Sequence, residues 1–211
     1  MASAGALRLE LNSFACQAFT GVRLALLDSA ATQLSIEDLS SLTACRLMVA
    51  QVQPGTYYVA VSRTQTGSQP LPYWITPTLN TARTTEVEPN DTTNQANLVT
   101  GADVVMCGAL GTTTDFTDDF IFTLSQPAVM HAEVLESSTM STTCESNLLD
   151  SRLELLSGAG LQLLTNADTG RGLCSRVESV GTLTAGTYFL RVTETASPKR
   201  GFPYCVSLRL R

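Results

Sequence analysis

Apolar and polar positions alternate with a period of two along much of the chain. Leu7, Leu9 and Leu11 alternate with Arg8 and Glu10, Tyr188, Leu190 and Val192 with Phe189 and Arg191, and Val206, Leu208 and Leu210 with Ser207, Arg209 and Arg211. Side chains of an extended strand point to opposite faces in turn, so each run offers one face for burial. Gly55 and Gly186 follow turn-forming stretches and open the next run, where a backbone angle that a side chain would hinder is expected. Only Ser35 to Leu42 departs from the pattern: Ser35 and Asp38 are spaced like a capping box, which predicts a short helix. The expected class is all-β, with many short strands in a sandwich rather than a closed barrel.

The pattern also repeats. RLALLDSAATQL (Arg23 to Leu34) and RLELLSGAGLQL (Arg152 to Leu163) share seven of twelve positions without a gap, at an offset of 129. In the same register Cys16 matches Cys144, Cys45 matches Cys174, PGTYYVAV matches AGTYFLRV, and Pro72-Tyr73 matches Pro203-Tyr204. The second copy has a lead-in, Glu86 to Leu124, whose counterpart would lie before Met1, so the first copy is expected to lack two or three leading strands. The organisation read from this is an incomplete sandwich over 1–80, a polar linker (TARTT) over 81–85, and a complete sandwich over 86–211.

The repeat selects a disulfide pairing. Cys16 and Cys45 are 29 residues apart and Cys144 and Cys174 are 30 apart, so each pair should close within its own copy. Cys107 and Cys205 are left as the third pair; the first copy has Trp74 at the position of Cys205 and nothing at that of Cys107. Six cysteines without a CxxC or a neighbouring histidine read as a disulfide framework rather than a zinc site, which implies an oxidising, extracellular setting. The opening MASAGALRLELNSFA has neither the cationic start nor the apolar block of a signal peptide, and no apolar run is long enough for a membrane-spanning helix. The expectation is a secreted or cell-surface chain that belongs to a longer exported protein.

Charge narrows the partners. The formal net charge is -6, which repels a phosphate backbone and argues against nucleic acid. Although only 15% of residues are charged, TEVEPNDT places Glu86, Glu88, Asn90 and Asp91 within six positions. In an extended chain Glu86, Glu88 and Asn90 point the same way, and Pro89 disfavours helix at Glu88. A second cluster, Asp115, Asp118 and Asp119, leads into the run Phe120 to Phe122. Asp118 shares its parity with Phe120 and Phe122, so alternation does not turn it to solvent. Carboxylates and an amide carbonyl with no histidine or thiolate nearby suit calcium better than magnesium or zinc; a solvated linker and turn is the alternative reading.

Taken in order, EVEPNDTTNQANLV, CGALGTTTDFTDDFIFTL, LDSRLELLSGAGLQLLTNAD, LTAGTYFLRV and YCVSLRL resemble the bacterial pre-peptidase C-terminal domain, which is similar in turn to the collagen-binding domains of clostridial collagenases. The resemblance spans about Glu86 to Arg211 in full, and about Ala6 to Leu79 without the lead-in. It implies two tandem jelly-roll-like antiparallel β-sandwich modules, no catalysis, and a calcium site formed by Glu86, Glu88, Asn90, Asp91, Asp115 and Asp118. No equivalent site is expected in the first copy. In the collagen-binding relatives exposed aromatic side chains carry the ligand contacts. Here Tyr57, Tyr58, Trp74, Tyr188 and Tyr204 each lie in strand-like runs and read individually as packing.

Enzyme signatures are weak. Asp168 to Gly170 forms one Asp-Thr-Gly triplet where an aspartic protease needs two, and His131, the single histidine, lies in the strand-like VMHAEVL, where a structural role is expected. GxSxG and HExxH are absent, and Asn90-Asp91-Thr92 is formally a glycosylation sequon. The function expected is a non-catalytic, calcium-binding accessory module that tethers or orients an upstream domain of a secreted protein on an extracellular polymer or surface. Two alternatives stand beside it: a filament subunit that self-assembles by strand donation into the incomplete first module, and a C-terminal extension that assists export and is then removed.

Overall fold

The computed structural model describes residues 1–12, 22–39, 46–63, 72–111, 113–136, 150–167 and 174–211. The chain divides into two compact units, Met1–Thr81 and Ala82–Arg211. Among the described residues every regular element is a strand.

The first unit is built from β1 (Gly5–Asn12), β2 (Val22–Leu27), β3 (Gln33–Leu39), β4 (Arg46–Val52), β5 (Tyr58–Arg63) and β6 (Trp74–Asn80). They form two three-stranded antiparallel sheets in the orders β4-β1-β6 and β3-β2-β5. Leu7, Leu9 and Leu11 of β1 join Leu24, Leu26, Met48 and Ala50 in one core. Arg8 and Glu10, on the other face of β1, are buried as well.

The second unit starts with two-residue strands β7 (Thr84–Thr85) and β8 (Asn97–Leu98), then β9 (Asp103–Leu110) and β10 (Thr117–Leu124). These are followed by β11 (Met130–Glu136), β12 (Ser151–Ser157), β13 (Gln162–Ala167), β14 (Arg176–Glu178), β15 (Gly186–Glu194) and β16 (Phe202–Leu210). The sheets run β13-β12-β15-β10-β8 and β14-β11-β16-β9-β7, antiparallel except for the short β7 and β8 pairings. Strands β1 to β6 and β11 to β16 occupy matching places. The register matches too: Leu7, Leu9 and Leu11 oppose Leu79, Pro77 and Ile75, as Met130, Ala132 and Val134 oppose Leu210, Leu208 and Val206. Among the described residues, the first unit shows no counterparts of β7 to β10, two long strands and two short ones. In the second unit these supply Met106, Leu110, Phe120, Phe122 and Leu124 to the core, each contributing about 1.5 to 3 kcal/mol when fully buried.

Three expectations need correction. Ser35 to Leu42 is not a helix over its described part: Gln33–Leu39 is β3, opposing Leu39 to Val22 and Ser35 to Leu26. The capping signal is local and weak, whereas strand addition gives the backbone as far as Leu39 a partner on β2; residues 40–42 lie outside the described set. Thr84 and Thr85 of the expected linker are strand β7, parallel to Met106 and Cys107. Gly186 has a φ of 154°, but Gly55 is not among the positive-φ residues.

Cys107 and Cys205 form a disulfide between directly opposed residues of β9 and β16. Cys174 is disulfide-bonded. Cys16, Cys45 and Cys144 lie outside the described residues, as do Asp168 and Gly170.

Candidate metal centre

Sequence-distant segments bring the acidic groups together at the edge of the second unit. Glu86 N–H donates to Cys107 O at 3.0 Å, extending β7 along β9. Its carboxylate then folds over Gly108, where Oε1 accepts from Ala109 N–H at 2.6 Å. A Cβ on Gly108 would lie 1.8 Å from Glu86 Oε2, so this placement requires glycine. Asn97 fixes the next residue from both sides, donating to Val87 O at 2.8 Å and accepting from Val87 N–H at 2.5 Å. Asn90 O in turn accepts from Asp119 N–H at 2.9 Å, which docks the lead-in on β10.

The result is a group of oxygens. Ligand atoms of Glu86, Glu88 and Asp118 lie within 4.8 Å of one another. Asp118 and Asn90 are fully buried, and Tyr204 O–H donates to Asp118 Oδ2 at 2.6 Å and to Glu86 Oε2 at 3.4 Å. The Asn90 amide has two settings. With nitrogen towards the carboxylates it donates to Asp118 Oδ1 at 3.0 Å and Glu88 at 3.2 Å; with oxygen towards them, acceptors face acceptors unless a carboxyl proton or a cation lies between them. Burial of Asn90 also closes the sequon to a glycan in the folded chain.

Electrostatics agree with the crowding. Burial raises the carboxyl of Asp118 to about 9, with the charges of Glu86 and Asp115 adding to it. Burial is also the first cause at Glu86, opposed by the Ala109 bond, and at Glu88, where Asp115, Glu86 and Asp91 add repulsion. Asp115 is raised by burial and by Asp91, and its Oδ1 is a buried acceptor without a hydrogen bond. The ion pairs among the described residues do not reach Glu86, Glu88, Asp115 or Asp118. Arg191 forks onto the neighbouring Asp119 instead, with two bonds of 2.7 Å. Such a set must carry protons or a bound cation. Hard oxygens with no nitrogen or sulfur among them fit calcium chemistry.

The six residues expected at the site are thus distributed unevenly. Glu86, Glu88 and Asp118 converge, Asn90 touches two of them, Asp115 faces them through its charge and orphaned oxygen, and Asp91 acts through its charge on Glu88 and Asp115. Sequence reasoning missed Tyr204, Gly108 and Asn97. A signal existed for two of these: the expected Cys107–Cys205 bond places Tyr204 opposite Gly108, one residue along each strand. A cleft of about 400 Å³ opens beside the carboxylates, lined by Glu86, Glu88, Val87, Met106 and Phe120 among others.

Elsewhere, His131 is buried in β11 with Nε2 3.4 Å from Glu133. Tyr188 and Tyr204 are packed as expected, and the Tyr188 ring stacks on Phe122 at 5.7 Å. Tyr58 and Trp74 depart from that reading, being 53% and 45% exposed on end strands of the first unit.

No family model matches the sequence, and no curated protein matches it. Among solved structures, the chain is similar to the pre-peptidase C-terminal domain of a collagenase from Bacillus anthracis, at 15% identity and a TM-score of 0.40, over 60% of this chain and all of that one. It is also similar to PliG of Aeromonas hydrophila, a periplasmic inhibitor of g-type lysozyme, at 10% identity and a TM-score of 0.41, over 62% of this chain and all of that one.

Proposed function

We propose that this chain is a non-catalytic, secreted accessory region whose second sandwich binds one calcium ion at its acidic lead-in. The ion joins the lead-in to β10, and the region tethers or orients an upstream domain on an extracellular polymer or surface. One observation carries the calcium reading: Asp118 is fully buried within 4.8 Å of two further carboxylates, with no basic side chain among the described ion pairs to balance them. Glu86, Glu88 and Asp118 would hold the ion, with the Asn90 carbonyl and Asp115 completing an oxygen shell. The ion would neutralise the cluster and fix the lead-in on the sandwich. The accessory role is supported by the order of motifs from ExEPND to AGTYFLRV, and secretion by the Cys107–Cys205 disulfide.

Calorimetric titration of calcium into chelator-treated protein tests the reading. One site per chain, lost in Asp118→Asn together with Glu88→Gln, is expected. Absence of heat together with an unchanged melting temperature would rule the site out.

A further inference from the structure

Two connections cross between the sheets of the second unit side by side, next to the acidic group. One joins β9 to β10 and carries Asp115 and Phe116; the other joins β15 to β16 over 195–201. They are neighbours because the strands at their roots are paired, Leu110 opposing Phe202 and Thr117 opposing Thr193. Glu194 N–H continues the second pairing by donating to Phe116 O at 3.2 Å.

The β15–β16 connection winds around the Glu194 carboxylate, which is 1% exposed. Its Oε1 accepts from Arg200 N–H at 2.6 Å and its Oε2 from Gly201 N–H at 3.3 Å. Gly201 sits at a φ of 64°, where glycine is unstrained. At the base, Thr195 N–H donates to Asp150 O at 2.9 Å in front of β12. This closed path brings round Lys199, the single lysine of the chain. Its ammonium donates to Glu194 O and lies 5.5 Å from the centroid of the Phe116 ring, within reach of cation–π attraction. The turn so held is under repulsion, because the charge of Asp91 acts on Asp115 and the charges of Glu86 and Asp115 act on Asp118.

We propose, resting on the calcium reading, that Lys199 is a positioning residue for the cation site: by clasping Phe116 it keeps Asp115 and Asp118 in place before the ion arrives. Without the clasp the repelling carboxylates relax apart, and part of the ion's binding free energy goes into drawing them back. Coupling is reciprocal, so an ion that fixes the turn also holds Lys199 on the ring. The direction is diagnostic. Loss of a positive charge near a cation site strengthens cation binding when charge alone acts, whereas loss of the clasp weakens it.

Calcium titration calorimetry of the full chain, with acetylation of Lys199 by an amine-reactive acetyl ester followed by mass spectrometry, tests this. Lys199→Met should weaken calcium binding roughly 3- to 10-fold, while Lys199→Arg, which keeps a cation over the ring, should stay within about twofold of wild type. In a Phe116→Leu background the Lys199→Met change should add little. In the wild-type chain, which needs no variant to fold, calcium should slow acetylation of Lys199 relative to chelator. Unchanged or tighter calcium binding in Lys199→Met, or acetylation indifferent to calcium in a chain that binds it, would overturn the clasp and leave the calcium site standing. A wild-type chain that takes up no calcium would remove the site and the clasp together.

Discussion

Replacing Gly108→Ala probes the cation site without touching a ligand. The new methyl would fall 1.8 Å from Glu86 Oε2, 2.2 Å from its Cδ and 2.5 Å from Oε1. The carboxylate is the far end of a flexible side chain, so it swings away and β9 stays paired with β16. The Ala109 N–H then loses a charge-assisted acceptor at 2.6 Å, and the ion loses one carboxylate. Hydrogen bonds to charged groups are worth about 1.5 to 3 kcal/mol, which corresponds to roughly 10- to 150-fold in calcium affinity if the position of Glu86 is what is lost. Titration calorimetry reads the affinity, and circular dichroism melts of the chelated protein read the fold. A double-mutant cycle with Glu86→Ala completes the argument: once Glu86 is gone, Gly108→Ala should add little. Wild-type affinity in Gly108→Ala, or full additivity with Glu86→Ala, would refute the placement of Glu86 over β9.

Other consequences follow from the same geometry. Asp118 has a folded-state value of about 9 against an unfolded value near 3.9, so its contribution to stability is complete below the unfolded value and is lost as pH rises towards the folded one. Chelated protein should therefore melt at progressively lower temperature from about pH 5 to pH 9, whereas calcium should flatten or reverse the slope; a chelated protein that gains stability over this range would contradict the buried-acid assignment. Replacing Arg191→Leu leaves Asp119 buried without its two 2.7 Å bonds, and urea unfolding should show a loss of about 3 to 5 kcal/mol. Replacing both Cys107→Ala and Cys205→Ala opens a loop of 98 residues, for which the chain-entropy relation gives about 4 to 5 kcal/mol in the same assay.

The fold was legible wherever one face of a strand is apolar and the other polar. Periodicity and the repeat located β1, β2, β5 and β12, β15, β16. β3 was misread because Ser35 and Asp38 mimic a helix start, and nothing local reveals that β2 offers an edge to that segment. The acidic residues of the site were legible as a cluster, since carboxylates crowd in the sequence before they crowd in space. What composition and spacing left hidden were the groups that hold them. Tyr204 lies 86 positions from Asp118 and reaches it only because β16 crosses to β9. Gly108 gains its meaning from the carboxylate folded above it. Asp118 illustrates both sides: its parity with Phe120 and Phe122 left its direction open, and in the folded chain both it and its neighbour Asp119 are buried.

A crystal structure of the full chain grown with calcium is the most direct test of the central claim. The account predicts one ion ringed by oxygens of Glu86, Glu88 and Asp118 at about 2.3 to 2.6 Å, with the Asn90 carbonyl turned towards it and the Tyr204 hydroxyl still on Asp118. Carboxyl groups found paired through protons, or turned out to bulk water with no ion between them, would contradict it.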